Sequence, residues 1–339
     1  MSNCIELDFK EMGKKLTLYV DKGRLASAFE VKEAPFLSVR PDVSLIKPLI
    51  RYTSFEGSFL AVDCSTRTIK RANNWGIYLM RPAYAITTGR LVDWGFKERI
   101  YTVIGDARTR SNFLTDVRIE LESQMALELM DPKTETKYYE YTHPRSKYLL
   151  LDGGGYFGGE RKFRVSLYER CQEEKINLLA ICKNSPALLD EKGRDFIASV
   201  SSLSNQNLWV YHPVRKADKD KALYGDISVI KLCPESTHVF RCDIMDYLTE
   251  QEVNPLLSPL TSVSEDPRCL GYPIPLYLAH EFSGPSDSML LSYHDQVEQK
   301  LAENGLLEVL RGEERTSSFA DELHGVKHAF SWEFWNDQF

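Results

Sequence analysis

A chain of 339 residues, 43% hydrophobic and 27% charged, can bury a large core, and this composition excludes collagen-like, disordered and disulfide-scaffold proteins. Its 42 Lys and Arg residues against 49 Asp and Glu residues give a net charge of −7, which argues against non-specific binding of DNA by a polycationic surface. Any nucleic acid must therefore meet a local basic groove or bound metal cations.

The cysteines and the N-terminal sequence indicate the compartment. The seven cysteines are widely spread and include no C-x-x-C pair, so we expect reduced thiols. The N-terminus lacks a basic region followed by an apolar run, and no uncharged apolar stretch approaches about 18 residues. We therefore expect a cytoplasmic protein with no membrane-spanning segment.

The first half of the chain predicts a lead-in, three strands and a helix. Residues 1–55 contain short amphipathic pieces and prolines, which indicate a helical or irregular segment. Residues 59–63, 76–87 and 99–105 follow as apolar strand-like runs, with short connections typical of an antiparallel meander. From 113 to 130 the apolar residues recur at helical spacing, with Ser111 or Thr115 as candidate N-caps.

The second half alternates between helices and strands. After a charged, Tyr-rich insertion at 131–147, residues 148–152 form a buried-type strand that runs into a glycine cluster. The further expected helices are 162–174, 187–200, 274–282 and 286–304, the strands are 176–182, 208–211, 227–232 and 239–242, and a long Pro/Ser-rich loop covers 254–272. This alternation predicts an α/β fold, a mixed sheet flanked by helices, with helical additions at both ends.

Two acidic residues follow buried-type strands. Asp63 and Asp152 each end such a run, where a carboxylate is costly unless a positive charge meets it. A divalent metal is a natural partner, because Mg²⁺ and Mn²⁺ prefer hard oxygen ligands. The order of a strand with Asp, two strands, a helix with Glu and a strand with Asp is that of ribonuclease H-like nucleases.

Four short motifs resemble those of the NurA nucleases. Residues 61–65 (AVDCS) are similar to the family's A-V-D-G-S motif, and residues 150–153 (LLDG) with 181–185 (ICKNS) resemble its D-G and S-K-D-S segments. Residues 271–273 (GYP) with 279–280 (AH) resemble its C-terminal Y-P and A-H/D element. Their order spans residues 59–284. Three departures stand out: Cys64 in place of Gly, the second and third glycines at 154–155, and Asn184 in place of an acid.

The resemblance implies a single NurA-like nuclease domain. It would comprise a lead-in segment at 1–55, a ribonuclease H-like core at 56–250 and a C-terminal helical part at 251–339 that completes the active site. It also implies manganese- or magnesium-dependent DNA cleavage with two metal ions per site, a homodimer, and partnership with the hexameric HerA DNA-translocating ATPase. The processes implied are DNA end resection in DNA repair, or phage defence.

Site residues are carried over by position. Asp63 and Asp152 would bridge the metals, His280 would bind the second metal or assist proton transfer, and Tyr272 would orient the scissile phosphate. The third carboxylate would come from the helix. Glu120 and Glu122 flank its apolar stripe equally; the pattern L-E-x-x-x-A-L at 121–127 resembles the family helix and favours Glu122 as the metal ligand.

Basic residues near these acids are candidates for contacts with DNA phosphates. They are Lys183, Arg67 and Arg71, with Lys70, Arg108 and Arg110 nearby. The glycines at 153–159 are not followed by Lys-Ser/Thr, so they do not form a Walker A loop, and an ATP-driven motor must come from a partner. The aromatic-rich tail at 330–339 is either a candidate docking surface for that motor or a last strand of the core.

Two other functions remain open. One is another ribonuclease H-like phosphoryl-transfer enzyme, such as a resolvase or transposase-like protein, although no helix-turn-helix or zinc module is evident. The other is a catalytically silent subunit that docks on a HerA-like ATPase. The intact acids argue against the silent subunit and their altered neighbours argue for it.

Overall fold

A computed structural model describes residues 37–324, except for residues 90, 132, 135–137, 139–145, 186–187 and 251. The first 36 residues, most of the insertion at 131–147 and the tail at 330–339 therefore lie outside the described residues. Twelve strands are assigned within this part of the chain: β1 (Leu37–Val39), β2 (Ile46–Pro48), β3 (Ser58–Arg71), β4 (Trp75–Thr88), β5 (Leu91–Phe96), β6 (Arg99–Ile104), β7 (Lys147–Asp152), β8 (Asn177–Cys182), β9 (Leu188–Asp190), β10 (Trp209–Arg215), β11 (Gly225–Lys231) and β12 (Phe240–Met245).

The α-helices of the described residues are α1 (Ala107–Leu129), α2 (Arg164–Glu174), α3 (Phe196–Leu203), α4 (Val253–Leu257), α5 (Ile274–Ser283), α6 (Asp287–Glu303) and α7 (Leu307–His324). Short 3₁₀ helices cover Val43–Leu45, Gly159–Phe163, Lys219–Lys221, Asp246–Leu248 and Ser258–Val263. None of the helices described is both long and apolar enough to cross a bilayer.

Ten strands form one mixed sheet. Its order is β2-β10-β11-β12-β8-β7-β3-β4-β5, and β6 also pairs with β4. Neighbours β3 and β7, and β7 and β8, are parallel, whereas the other pairs are antiparallel. The order β4-β3-β7-β8, an antiparallel meander followed by two parallel crossovers, confirms the predicted ribonuclease H-like mixed sheet. The meander contains one strand more than predicted, because β5 and β6 share the same edge of β4.

The centre of the sheet is covered on both faces. Strand β3 begins with an apolar run that is buried throughout, which fits a strand with helices on both sides. Successive side chains of a strand point to opposite faces. Accordingly, Cys64 packs against Leu121 of α1, whereas Asp63 contacts His280 of α5. Helices α1 and α5 therefore sandwich β3, and Asp63 lies on the α5 face.

Helix α1 begins earlier than predicted. The Asp106 side chain accepts a 2.7 Å hydrogen bond from the backbone N–H of Thr109, which caps the helix before Ala107. The predicted caps, Ser111 and Thr115, lie within the helix. The first two turns carry mostly polar side chains, so no apolar periodicity marked them in the sequence.

Two further predictions were wrong. Residues 254–272 were expected to form a loop, but they contain most of α4 and the 3₁₀ helix Ser258–Val263, with Leu257 and Leu260 fully buried. Pro259 lies in the first turn of that 3₁₀ helix, where a missing N–H is tolerated. The helix expected at 187–200 begins only at Phe196, after β9, because Asp195 caps it by accepting from the N–H of Ala198.

The N-terminal addition also differs from the expectation of a helical or irregular segment. Its described part, residues 37–55, contains strands β1 and β2. Strand β1 pairs in parallel with β9 in a separate two-stranded sheet, and β2 forms one edge of the large sheet beside β10. The chain before the core therefore extends the sheet that it precedes.

We expect the parallel centre of the sheet to dominate stability. Leu150 of β7 is fully buried, so Leu150→Ala should lower the free energy of unfolding by about 2–5 kcal/mol through lost burial and a residual cavity. The same substitution at Leu291 of α6, which is 66% exposed, should change it by less than about 0.5 kcal/mol. Urea unfolding followed by circular dichroism compares the two, and equal effects would contradict this description of the core.

Candidate active site

The two aspartates lie on neighbouring parallel strands. Val62 of β3 is the register partner of Leu151 of β7, so the next residues, Asp63 and Asp152, stand side by side. Register partners in a parallel pair point to the same face. Strand β7 ends at Asp152, whereas β3 continues to Arg71. The sequence predicted that the two acids lie together, and the β3–β7 pairing brings them to one place.

Asp63 is held by α5 and by its own backbone. Its Oδ2 accepts from His280 Nδ1 at 2.7 Å and more weakly from Ser283 Oγ at 3.5 Å, while its Oδ1 accepts from the Cys64 N–H at 2.8 Å. Burial acts to raise the pKa of Asp63, but His280, Lys183 and Arg118 outweigh burial and lower it. Asp63 is therefore an ionised carboxylate in a largely buried position.

The pKa of His280 shifts in the opposite direction from that of Asp63. The hydrogen bond to Asp63 raises the pKa of His280, and this outweighs burial and the positive charge of Lys183. The imidazole side chain is 58% exposed, so it lies at the boundary between the buried carboxylates and solvent. A protonated His280 at this boundary can hold a proton close to any group that approaches Asp63.

Asp152 meets a lysine and a tyrosine. Lys183, which follows β8, places its Nζ 2.8 Å from Asp152 Oδ2. The buried Tyr272 hydroxyl donates to Asp152 Oδ1 at 3.5 Å, and the Lys183 ammonium lies 5.9 Å from the centre of its ring. Burial, followed by the charges of Asp152 and Asp63, raises the pKa of Tyr272 well above its usual value. Tyr272 therefore remains a neutral donor beside both acids.

Glu122 and Glu120 occupy different environments. Glu122 is buried and accepts from Arg164 Nη2 at 3.1 Å. Burial raises the pKa of Glu122, the charges of Arg164 and Arg118 oppose that rise, and the charge of Asp63 adds to it. Glu120 instead accepts from Gln124 on the exposed face of α1. The structure thus places Glu122 near Asp63 and turns Glu120 away.

Cys64 is a buried thiol. It packs with Met80 and Leu121 on the α1 face of the sheet, opposite Asp63. Burial and the charges of Glu122 and Asp63 raise its pKa well above the usual value, so the thiol stays protonated and is a poor ligand for a hard cation. The Gly-to-Cys departure therefore alters the core side of β3.

The glycines after Asp152 form a buried turn. Gly153 has a φ of 108°, a region that favours glycine, and the Gly155 N–H donates to Asp243 Oδ2 at 2.7 Å. Asp243 is fully buried and paired with Arg241. A Cβ on Gly154 would approach Arg241 Nη2 to 3.1 Å. Gly154 and Gly155 therefore serve the packing of this turn against β12.

The proposed DNA-contacting arginines lie farther away. Arg67 and Arg71 are four and eight residues beyond Asp63 on β3, about 13 Å and about 26 Å along the strand at roughly 3.3 Å per residue. Arg67 is also within 3.8 Å of Asp287, the first residue of α6. Of the three predicted DNA contacts, the structure brings only Lys183 to the carboxylates.

Three site residues were not found from the sequence. Arg164 at the start of α2 bonds Glu122 and donates to the Asp152 carbonyl at 3.3 Å. Ser283 contacts Asp63, and its carbonyl accepts from Ser65 Oγ. Arg118 of α1 acts on the pKa of both Asp63 and Glu122. The only sequence signal was the cluster of basic residues at 161–164 directly after the glycines, which predicts no particular partner.

The donor set fits a divalent cation in part. Asp63 and Asp152 offer adjacent hard oxygens, and the Lys183 ammonium already places a positive charge at Asp152. Glu122 and His280 stand on opposite sides of β3, on α1 and α5. Within the described residues no group of three His, Cys, Asp or Glu side chains is arranged to hold a metal ion. The two aspartates alone are positioned as a ligand pair.

Comparison with known proteins shows the same fold. No protein-family model matches the chain, and no curated protein matches by sequence. The NurA nuclease from Sulfolobus solfataricus superposes with a TM-score of 0.61 at 16% identity, over 88% of this chain and 95% of that chain. A NurA structure with manganese gives a TM-score of 0.52 at 11% identity, over 86% of this chain and 98% of that one. The chain therefore has a NurA-like fold, which confirms the resemblance at the level of the fold.

The Asp63–His280 pair should make the stability of the folded protein depend on pH. Because the pKa of His280 is raised, its pairing contributes fully to the stability of the folded protein below about pH 6.5. That contribution is lost as pH rises through the pKa of His280 in the folded state. The lowered pKa of Asp63 means that stabilisation is present above about pH 3.9 and is lost as pH falls through the folded Asp63 value. The pair thus stabilises most between about pH 4 and 6.5.

NMR titration of the histidine ring signals in metal-free buffer measures the pKa of His280. We expect Asp63→Asn to lower the pKa of His280, because the carboxylate that holds its proton is gone. His212, whose pKa burial lowers, serves as the internal reference and should not change. An unaltered His280 pKa in the variant would contradict the pairing.

Proposed function

We propose that the protein is a metal-dependent DNA nuclease that hydrolyses phosphodiester bonds, as an exonuclease or single-strand endonuclease, in DNA end processing or phage defence. The observation that carries the proposal is the pair of adjacent carboxylates, Asp63 and Asp152, with His280, Lys183 and Tyr272 bonded to them, on a NurA-like fold. An acid pair surrounded by proton donors and a cation suits hydrolysis of an anionic ester.

The proposed cofactor is Mn²⁺ or Mg²⁺, with two ions per site. Asp63 and Asp152 would hold the metal, joined by Glu122, and His280 would either bind the second ion or assist proton transfer. A bound divalent ion lowers the pKa of water and neutralises charge on a phosphate. For Glu122 to take part, its contact with Arg164 must be shared or released. The support is the oxygen-donor chemistry of the aspartate pair and a neighbour crystallised with manganese.

Each neighbouring side chain has a defined part in the proposed reaction. Where His280 acts in proton transfer rather than as a ligand, its protonated ring would donate Nδ1–H to Asp63 and pass the Nε2 proton from the exposed edge to the departing oxygen. Lys183 neutralises Asp152 and so reduces the repulsion between the acids and a phosphate. Tyr272, neutral and buried, keeps a hydroxyl donor at Asp152. Together they admit an anionic substrate to an acidic site.

A second candidate is a catalytically silent docking subunit. The observation that favours it is that two of the acids already carry salt bridges, Asp152 with Lys183 and Glu122 with Arg164. An inhibited or relic site would keep such pairs permanently. The assay described next separates the two candidates, because a silent subunit cuts no DNA at any metal concentration.

We expect Asp63→Asn and Asp152→Asn each to reduce cleavage of labelled single-stranded DNA in Mn²⁺ by at least about 100-fold, because each removes a ligand charge while keeping the side-chain shape. Glu120→Gln, on the exposed face of α1, should retain activity within about twofold. EDTA should abolish cleavage by the unmodified chain. Thermal melting confirms folding. Full activity of both aspartate variants would refute the assignment, and an inactive unmodified chain would favour the silent subunit.

We also propose that two copies associate through the β5–β6 edge of the sheet. Six apolar side chains along this edge are 42% to 80% exposed: Leu91, Val92, Trp94, Phe96, Ile100 and Ile104. Exposed apolar edges of this kind are unusual on monomers and template strand pairing. A second copy presents the same edge, so the contact is self-complementary.

Light scattering coupled to size-exclusion chromatography tests the dimer. We expect the unmodified chain to elute as a dimer, and Ile104→Glu combined with Leu91→Glu to shift it to a monomer, because charges would be buried at the contact. Leu291→Glu on α6, an equally exposed site elsewhere, is the control and should leave the dimer intact. A double variant that remains dimeric would place the interface on another surface.

The proposed partner in the cell is a HerA-like hexameric ATPase. Support comes from the motif resemblance and from the lack of a nucleotide-binding loop in the sequence, which leaves translocation to another protein. We expect deletion of residues 330–339 to weaken co-purification with such an ATPase while cleavage by the nuclease alone is kept. A deletion that aggregates indicates a core role for the tail, and unchanged co-purification excludes it as the docking surface.

A further inference from the structure

The guanidinium of Arg164 is buried but only partly bonded. The side chain is 6% exposed at the start of α2. Its Nη2 donates to Glu122 Oε2 at 3.1 Å and to the Asp152 carbonyl at 3.3 Å. Among the described residues, its Nε and Nη1 have no hydrogen-bond partner. Buried donors without partners are rare, because each carries a desolvation penalty, and a buried cation carries a larger one.

A glycine lies beside one of these nitrogens, Nη1. Gly153 follows Asp152, and its φ of 108° disfavours any other residue. A Cβ built there would lie 3.7 Å from Arg164 Nη1 and 3.4 Å from Arg161 Nη1. Two guanidinium groups therefore flank Gly153, one residue from the carboxylate pair. The Gly153 backbone is partly exposed, so the buried Nη1 lies just beneath the surface at this point.

We propose that Arg164 binds a phosphodiester oxygen of the DNA backbone through Nη1, beside Gly153, while its Nη2 continues to hold Glu122. The inference rests on the proposed nuclease function and deepens it by assigning a phosphate contact. An anionic oxygen at Nη1 satisfies a buried donor, and charge-assisted hydrogen bonds from a guanidinium to a phosphate are strong. The chain is acidic overall, so this local positive charge is where its substrate must be held.

The contact also makes Arg164 a positioning residue for Glu122. Arg164 Nη2 donates to Glu122 Oε2 at 3.1 Å, and the two side chains are 6% and 8% exposed, so the guanidinium fixes the position of the carboxylate. A phosphate that fixes the Arg164 side chain therefore also fixes the carboxylate bonded to it. Substrate binding and the orientation of Glu122 are linked through one side chain.

Binding of DNA without cleavage tests the contact. Fluorescence anisotropy of a labelled 20-nucleotide single strand is measured with the full chain in EDTA, at salt concentrations between 50 and 200 mM. We expect Arg164→Gln to weaken binding by about tenfold and to lower the slope of log affinity against log salt by about 0.7, the value for one phosphate contact on a single strand. Arg170→Gln, an exposed arginine on the same helix paired with Glu174, is the matched control and should change affinity less than about twofold.

A second pair of variants covers the case in which Arg164→Gln does not fold. Glu122→Gln removes the negative charge that competes for Arg164 and should tighten binding about threefold or more, whereas Glu120→Gln on the exposed face of the same helix should not. Inorganic phosphate at 10-fold excess over DNA phosphate should compete weakly, because the site takes a backbone phosphate already held by the strand.

The outcomes separate this inference from the function on which it depends. If the unmodified chain cleaves and binds DNA but Arg164→Gln matches Arg170→Gln in affinity and salt slope, the phosphate contact is overturned and the nuclease stands. If Glu122→Gln and Glu120→Gln bind alike, the link to Glu122 is overturned as well. If the unmodified chain neither binds nor cleaves DNA, the proposed function itself fails.

Discussion

The site is organised by the repulsion between two carboxylates on adjacent parallel strands. Asp63 and Asp152 are placed side by side by the register of β3 and β7, and Asp63 is largely buried. Like charges in a medium of low dielectric raise each other's pKa unless cations or donors stand close. Much of what surrounds them can be understood as compensation: an imidazole on Asp63, an ammonium on Asp152 and a guanidinium on Glu122.

The compensating groups come from separate elements, and this makes the site depend on the whole fold. His280 belongs to α5 on one face of β3, Arg164 and Glu122 belong to α2 and α1, and Lys183 follows β8. A shift of α1, α2 or α5 would leave Arg164, Glu122 or Asp63 as a largely buried charge without its partner, which is strongly destabilising. The mixed sheet supplies the rigidity, because its central strands are buried on both faces. The same ion pairs therefore hold the candidate site in place and contribute to the stability of the fold.

The acidic net charge is consistent with this arrangement. A protein with a charge of −7 repels DNA at long range, so the proposed binding of DNA would rely on cations concentrated at one place. Arg161, Arg164 and Lys183 lie around the glycine turn and the end of β7. The NurA-like fold persists at 16% identity and below, which fits a sheet specified by apolar pattern and volume more than by particular residues.

The sequence by itself determined three of the four strands of the meander, helix α1 as an element, the strand before Asp152, and the choice of Asp63, Asp152 and His280 as candidates. These rest on local periodicity and on short motifs, which are encoded within a few neighbouring residues. It did not determine the start of α1, β5, or the buried helices at 253–263, because capping, edge pairing and burial of Pro- and Ser-rich segments depend on distant contacts.

Only the tertiary structure separated Glu122 from Glu120: both flank the same apolar stripe, but Glu122 is buried against Arg164 and Glu120 bonds Gln124 at the surface. Only the tertiary structure shows that Lys183 pairs with Asp152, 31 residues away in the sequence, and that Arg71 lies far along β3. The physical reason is common to these cases. Ion pairs form between side chains that the packing of sheet and helices brings within about 4 Å, and no local pattern in the sequence records that distance.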